Sequence, residues 1–302
     1  MTRFSPALLR QQDDVCSAAV ADFLRGNDQF KRLAASEGEA IIQRDKEDNE
    51  KLAVGIDIAK AKGILSGNPD VGEVKRINVA GLTAQQVTEE VLRHLPSKEG
   101  NIIVIQGLSG TGKGTTVGKL QKLLPRCVTW SNGNVFRSYT YLCVEALKGD
   151  VRPEQLTPKL LSAVEKQVKF EKLDSGEFDI VLNGNVRVGD IQNTLLKTPE
   201  ISAAVPTVAQ QTQGEVIRFA AAAVAQLSRA GHNVILEGRA QTLDHIRTPL
   251  RFELVIDDVS LLGQRRAAQR VMAKAVSDMK DHLDGATEAQ VEAALLKAAA
   301  EM

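Results

Sequence analysis

From Asn101 to Gln106 the chain reads N-I-I-V-I-Q, then G-L-S-G-T-G-K-G-T from Gly107 to Thr115, then a segment able to run as helix through Val117 to Leu124 before Pro125. A continuous apolar run of strand length suits a parallel strand buried on both faces. The glycines permit positive φ and close approach of backbone to an anion. Successive N–H groups and the N-terminus of the next helix then form an anion nest. Lys113 adds a positive charge for terminal phosphates, and the Thr115 hydroxyl is placed to serve magnesium, directly or through water. Gly107, Gly110, Thr111, Gly112, Lys113, Gly114 and Thr115 are thus the expected nucleotide-binding residues, with ATP and Mg2+ the expected ligands. The plainer reading is a glycine-rich turn that binds nothing. Strand, glycines, lysine and hydroxyl all in register argue against it.

The rest of the chain divides into two textures. Residues 1–63 are polar and helix-favouring, with a dense charge run at Arg44–Lys51 that by itself reads as a solvated helix face. Ser66–Gly72 is a loop by its breakers, Val74–Val79 reads as a short strand, and Thr83 with Gln86 forms a capping box opening a helix toward Leu95. Beyond Asn101, strands are expected at Val128–Trp130, Asn233–Leu236 and Phe252–Ile256. Helices are expected over Val151–Phe178 after Pro153, Glu215–Arg229, Leu261–Leu283 and after Thr287, and a hairpin around Gly184. Strands alternating with helices predict an α/β fold, a parallel sheet flanked by helices.

Composition narrows the partners. Lys plus Arg equals Asp plus Glu at 38 each, so general attraction to a nucleic-acid polymer or an acidic membrane is not expected. No run approaches the roughly 20 apolar residues of a membrane span. The start, Met1–Arg10 followed by Asp13 and Asp14, lacks the apolar stretch of a secretory signal. Cys16, Cys127 and Cys143 form no C-x-x-C pair and are read as free thiols of a reducing compartment. A cytoplasmic location is the expectation.

The G-K-G-T ending, with Gly114 between Lys113 and Thr115, resembles the P-loop of nucleoside monophosphate kinases, and further elements are similar to the cytidylate kinases. Ser131-Asn132-Gly133-Asn134-Val135-Phe136-Arg137 resembles that family's D-[ST]-G-x-x-[YF]-R element. Leu182–Gly184 and Lys197–Ser202 resemble its acceptor-binding insertion, set here at about 150–213. Arg218 resembles the base-reading arginine, and Glu237-Gly238-Arg239 stands where the family has G-R-D. Asp257-Asp258 ends a strand, and Arg265-Arg266 takes the place of a paired arginine that would otherwise read as solvated helix charge. The family's arginine-rich lid and last strand and helix do not follow. Instead Arg44-Asp45-Lys46-Glu47-Asp48-Asn49-Glu50-Lys51 resembles the lid motif, and Glu73–Leu95 the last strand and helix.

Two organisations follow. In one, the chain is a circularly permuted kinase whose residues 1–96 supply the lid-like motif and a strand–helix unit, while 97–302 form the P-loop core. In the other, residues 1–96 are a separate helical adaptor. The permuted reading requires Arg44 and Asp48 to lie near Lys113, and the strand at Val74–Val79 to join the sheet beside Asn101–Gln106 or its neighbour.

The resemblance implies transfer of the γ-phosphoryl of ATP to a nucleoside monophosphate. Lys113, Arg137, Arg239 and Arg44 would be catalytic. Asn132, Arg137, Arg218, Arg239, Asp48, Lys51 and Arg265 would contact the acceptor or the migrating group, Asp257 or Asp258 would help orient magnesium, and the lid would close over the site. Departures fall on base recognition: the G-R-D aspartate is Ala240, a serine of the insertion is Pro206, and Ser131-Asn132 replaces Asp-[ST]. Lys51 stands where the family's lid has an arginine and lacks the planar fork. The acceptor is therefore a (d)CMP-like or altered nucleotide. A protein that holds ATP without transferring phosphate is the alternative.

Overall fold

The apolar run at 102–107 is the middle strand of a five-stranded parallel sheet. The computed structural model describes residues 4–11, 14–280 and 282–302. In chain order its strands are β1 (Lys75–Asn78), β2 (Ile102–Gly107), β3 (Cys127–Trp130), β4 (Val168–Lys172), β5 (Phe178–Leu182), β6 (Val186–Arg187), β7 (Asn233–Gly238) and β8 (Arg251–Val255). The helices are α1 (Pro6–Gln11), α2 (Asp14–Phe23), α3 (Asp28–Ala61), α4 (Ala84–Arg93), α5 (Lys113–Leu123) and α6 (Asn132–Leu147). They continue with α7 (Pro158–Gln167), α8 (Val188–Ile191), α9 (Pro199–Arg229), α10 (Ala240–Leu243), α11 (Ser260–Asp278) and α12 (Glu288–Ala300). The central order is β1-β8-β2-β7-β3, and β4-β5-β6 form a separate antiparallel sheet.

The strand read at Val74–Val79 is thus β1. It pairs with β8, the neighbour of β2, through Arg76↔Glu253 and Ile77↔Leu254. Its helix α4 opens with the predicted capping box, Thr83 and Gln86 each satisfying the other's backbone N–H.

The sheet buries both faces, which is why β2 is apolar from Ile102 to Ile105. On one face Ile103, Ile105, Ile235, Phe252 and Ile77 meet Val87 and Val91 of α4 and Val117 and Leu120 of α5. On the other, Val104, Val234 and Leu236 meet Ala220, Val224 and Leu227 of α9. A third core joins α1, α2, the start of α3, α11 and α12 through Leu9, Val20, Phe30, Val271 and Leu295. The N-terminal helices are therefore packed on the body of the protein.

Three expectations are corrected. Val151–Phe178 is not one helix: α7 stops at Gln167, and β-branched and aromatic residues from Val168 pair with β5. The helix expected at Glu215 begins sixteen residues earlier and carries Pro206 within it. Its buried stripe (Val208, Thr212, Val216, Ala220) outweighs the one lost hydrogen bond. The segment expected to close as a lid is the middle of α3, a 34-residue helix. Its two halves are held by close glycine packing. A Cβ on Gly263 of α11 would stand 2.1 Å from the Ala34 carbonyl, and one on Gly214 of α9 2.6 Å from the Ala59 Cβ. The Thr287–Gln290 capping box and the Gly184 hairpin are as expected.

Candidate functional site

The site is built around the turn between β2 and α5. Gly107 has φ 142°, and a Cβ there would lie 2.3 Å from the Leu254 carbonyl of β8, so only glycine lets the strands stay paired at this point. Gly112, at φ 84°, caps α5 in the left-handed region. Thr111 is buried, and its hydroxyl donates to the Leu108 carbonyl at 2.9 Å. Lys113 donates to the carbonyls of Gly107 and Leu108, both at 2.8 Å, so its ammonium lies inside the turn. Burial lowers its pKa, and the nearby Glu237 carboxylate opposes that shift. Thr115 is exposed on the first turn of α5. A loop of this form, opening a helix, is suited to hold an anion.

Asp45 of α3 ties this loop to the end of β7. It accepts from the Ser109 N–H at 2.8 Å, the Ser109 hydroxyl at 2.9 Å and Arg239 Nη2 at 2.5 Å. Asp48, one turn on, accepts from the same Nη2 at 3.1 Å. Burial works to raise the Asp45 pKa, but the bonds from Arg239 and Ser109 overcome it and hold the carboxyl at about 2. Arg239 leads into α10, which Arg251 fixes from below. That fully buried guanidinium donates to the carbonyls of Leu243 and Ile246 and to the Asp244 carboxylate.

On the other side, Asn132 opens α6 after β3, and its amide oxygen accepts from the Trp130 indole at 2.8 Å. Asn132, Gly114 and Glu237 line one cleft of about 350 Å³. Glu237 Oε2 lies 3.9 Å from where a Gly114 Cβ would be. Arg137 folds back over the start of α6, its Nη1 3.0 Å from the corresponding point of Gly133, and its buried Nε makes no hydrogen bond.

The structure brings together Gly107–Thr115, Asp48, Arg239 and Asn132, but places other expected residues elsewhere. Arg44 and Lys51 are exposed on α3. The neighbour of Arg44, Asp45, is the one that turns inward. Arg218 bonds Glu165 of α7 at 2.5 Å and is half-exposed. Arg265 lines a separate cleft of about 390 Å³ between α2, α11 and the turn at Gly81–Thr83. Asp257 accepts from Asn78 at 2.5 Å, and Asp258 accepts from the Ser260 N–H at 2.9 Å.

Asp45, Glu237 and Arg251 carry no assigned role in the motif reading. Asp45 was legible only as the second residue of the lid-like run. Arg251 reads in sequence as an ordinary strand residue. No disulfide joins Cys16, Cys127 and Cys143, and burial pushes the thiols of Cys127 and Cys143 up to about 11. Among the described residues no helix is long and apolar enough to cross a membrane. No protein-family model matches the chain, and no curated protein matches it.

Proposed function

We propose that the protein is an ATP-dependent phosphotransferase of the nucleoside monophosphate kinase kind, acting on a (d)CMP-like or altered acceptor. The observation that carries this is the Asp45 bridge. One carboxylate joins Ser109 of the glycine-rich loop to Arg239, so a donor-phosphate cradle and an acceptor-phosphate arginine are neighbours. Phosphoryl transfer asks mainly for such positioning and charge neutralisation.

In this reading the loop amides and Lys113 hold the donor's β- and γ-phosphates. Arg239, with Arg137 of α6, holds the acceptor phosphate in a fork and in line. Lys113, now bonded to the Gly107 and Leu108 carbonyls, exchanges them for phosphate oxygens without leaving the turn. The donor base lies in the cleft at Gly81–Thr83. Arg265 stacks on it there, and Leu82 and Leu261 supply apolar wall. One helix borders both sites: Leu261, Gln264 and Arg265 of α11 line the cleft, and Leu262 lies 3.4 Å from the position of a Gly110 Cβ. The N-terminal helices thus help to wall the donor cleft, since Ala18 and Ala21 of α2 also line it.

Among the described residues no group of three His, Cys, Asp or Glu is placed to hold a metal ion. The exposed Thr115 hydroxyl and the Glu237 carboxylate fit a magnesium ion that arrives with the nucleotide and keeps its waters, as this ion prefers. Such an ion would supply charge neutralisation to the phosphates.

The sheet order supports the permuted organisation. β1 precedes β2 in the chain but lies at the far edge, beyond β8. The strand–helix unit expected at the end of the kinase fold is then supplied from the start of the chain.

A second reading has its own support. Arg239 is already shared by two carboxylates, and Arg44 and Lys51 face outward, as suits a protein that holds ATP without transferring phosphate. The test is ADP formation from ATP and magnesium across the ribo- and deoxyribonucleoside monophosphates, with Lys113→Ala as control. Acceptor-dependent turnover lost in Lys113→Ala supports the kinase. ATP binding with no acceptor-stimulated turnover supports the second reading.

A further inference from the structure

Across the outer half of the sheet, one row of paired residues runs Arg76, Glu253, Gln106, Gly238 on β1, β8, β2 and β7. Paired residues on parallel strands share a face, and this is the face that Val104 and Leu236 present to α9. Under α9 the face is apolar. Beyond it the row is polar at Gln106, Glu253 and Arg76. The result is a hollow of about 450 Å³, bounded above by Asn49 of α3 and by Arg239 and Gln241.

Every charged side chain lining this hollow is already engaged. Arg76 pairs with Glu253 at 3.1 Å, Asp257 accepts from Asn78, and Arg239 serves Asp45 and Asp48. Among the described residues lining it, the buried groups left without partners are two carboxamides. Gln106, only 5% exposed, and Gln241 each bury an amide oxygen that receives no hydrogen bond. An unsatisfied buried acceptor is costly, and such groups in native proteins commonly mark a ligand or a function. The last side-chain torsion of glutamine is broad, so either amide atom can turn into the hollow. The space exceeds what a single water needs by more than tenfold, at about 30 Å³ per water.

We propose that this hollow binds a neutral, planar, hydrogen-bonding heterocycle, a free nucleobase or nucleoside, held edge-on by Gln106 and Gln241. A carboxamide matches such an edge because it offers one donor and one acceptor in a plane, as when glutamine reads adenine. Both arginines that line the hollow are paired with carboxylates and Asp257 has a neutral amide partner, so there is no surplus positive charge to hold a phosphate. It is separate from the cleft at Arg265, borders the glycine-rich loop at Gly107 and Leu108, and does not depend on the phosphotransferase reading. It also meets Arg239, which lines it and bonds Asp45.

The test is calorimetric titration of the full chain with adenosine and cytidine, with ribose alone as control. It is run on wild type, Gln106→Met and Arg265→Ala, with thermal melting of each. Wild type and Arg265→Ala should bind the nucleosides and not ribose, and Gln106→Met should lose about tenfold in affinity or more. Gln106→Met should also melt about 2–4 °C higher, since it removes an unpaired amide at nearly constant volume. Gln241→Met provides a second reading of binding should Gln106→Met fold poorly. Three results overturn the proposal: no nucleoside binding, binding matched by ribose, or binding untouched by both glutamine variants, whatever Arg265→Ala does.

Discussion

The Asp45 carboxylate accepts both hydrogen bonds that Ser109 can donate, from its N–H at 2.8 Å and its hydroxyl at 2.9 Å, across 64 residues of sequence. Ser109 lies in the loop that follows β2, and Asp45 in the middle of a helix that begins before the sheet does. Because α3 is locked by glycine contacts on either side of this bond, the shape of the loop depends on a helix that shares no strand with it.

That bond makes stability pH-dependent in a defined window. The Asp45 carboxyl is held at about 2 in the folded protein, against 3.8 ordinarily. A lowered folded-state pKa contributes stability that is fully present above pH 4 and is lost as pH falls toward 2. The contribution is roughly 2 kcal/mol. Urea melts of wild type and Asp45→Asn between pH 6 and 2 should show wild type more stable at the upper end and the difference closing at the lower. A constant difference would mean that Asp45 does not titrate in this way.

The glycine contact between α3 and α11 predicts opposite outcomes for two alanine substitutions. Gly263→Ala places a methyl against the Ala34 carbonyl and Gly38 and should cost about 3 kcal/mol by forcing the helices apart. Gly118→Ala, inside α5 with nothing within 4 Å of the added Cβ, should gain about 0.5–1 kcal/mol from helix propensity. Denaturant midpoints of the two variants measure both.

Lys113→Ala should weaken ATP binding by about one to two orders of magnitude, since a charge-assisted bond contributes roughly 1.5–3 kcal/mol. Fluorescent-nucleotide titration reads it directly. Affinity unchanged by this substitution would remove the glycine-rich loop from consideration as the phosphate site.

Arg265→Ala separates the proposed donor cleft from the proposed phosphate site. Loss of stacking on the base should raise the Kd for ATP several-fold, from an interaction of about 0.5–2 kcal/mol. The Kd for inorganic triphosphate, which has no base, should stay the same. Equal weakening of both would place Arg265 on the phosphates instead.

The sequence by itself determined the local devices. The run N-I-I-V-I-Q followed by G-L-S-G-T-G-K-G-T is β2, a left-handed glycine turn and α5, because periodicity and positive φ are properties of near neighbours. The capping boxes at Thr83 and Thr287 were legible for the same reason. Val168–Lys172 was not. A strand in an antiparallel sheet is chosen by its partner across the ladder, and following a good helix it carries no boundary of its own. The site divides in the same way. Lys113 and the loop glycines announce themselves in the sequence. Only tertiary structure decided that Asp45 rather than Arg44 reaches the loop, that Arg265 faces a separate cleft, and that β1 closes the sheet beside β8. On a helix one residue turns the side chain by about 100°, so which of two neighbouring charges points inward is settled by the seating of α3 on α9 and α11. That seating is set by Gly263 and Gly214, more than 150 residues away.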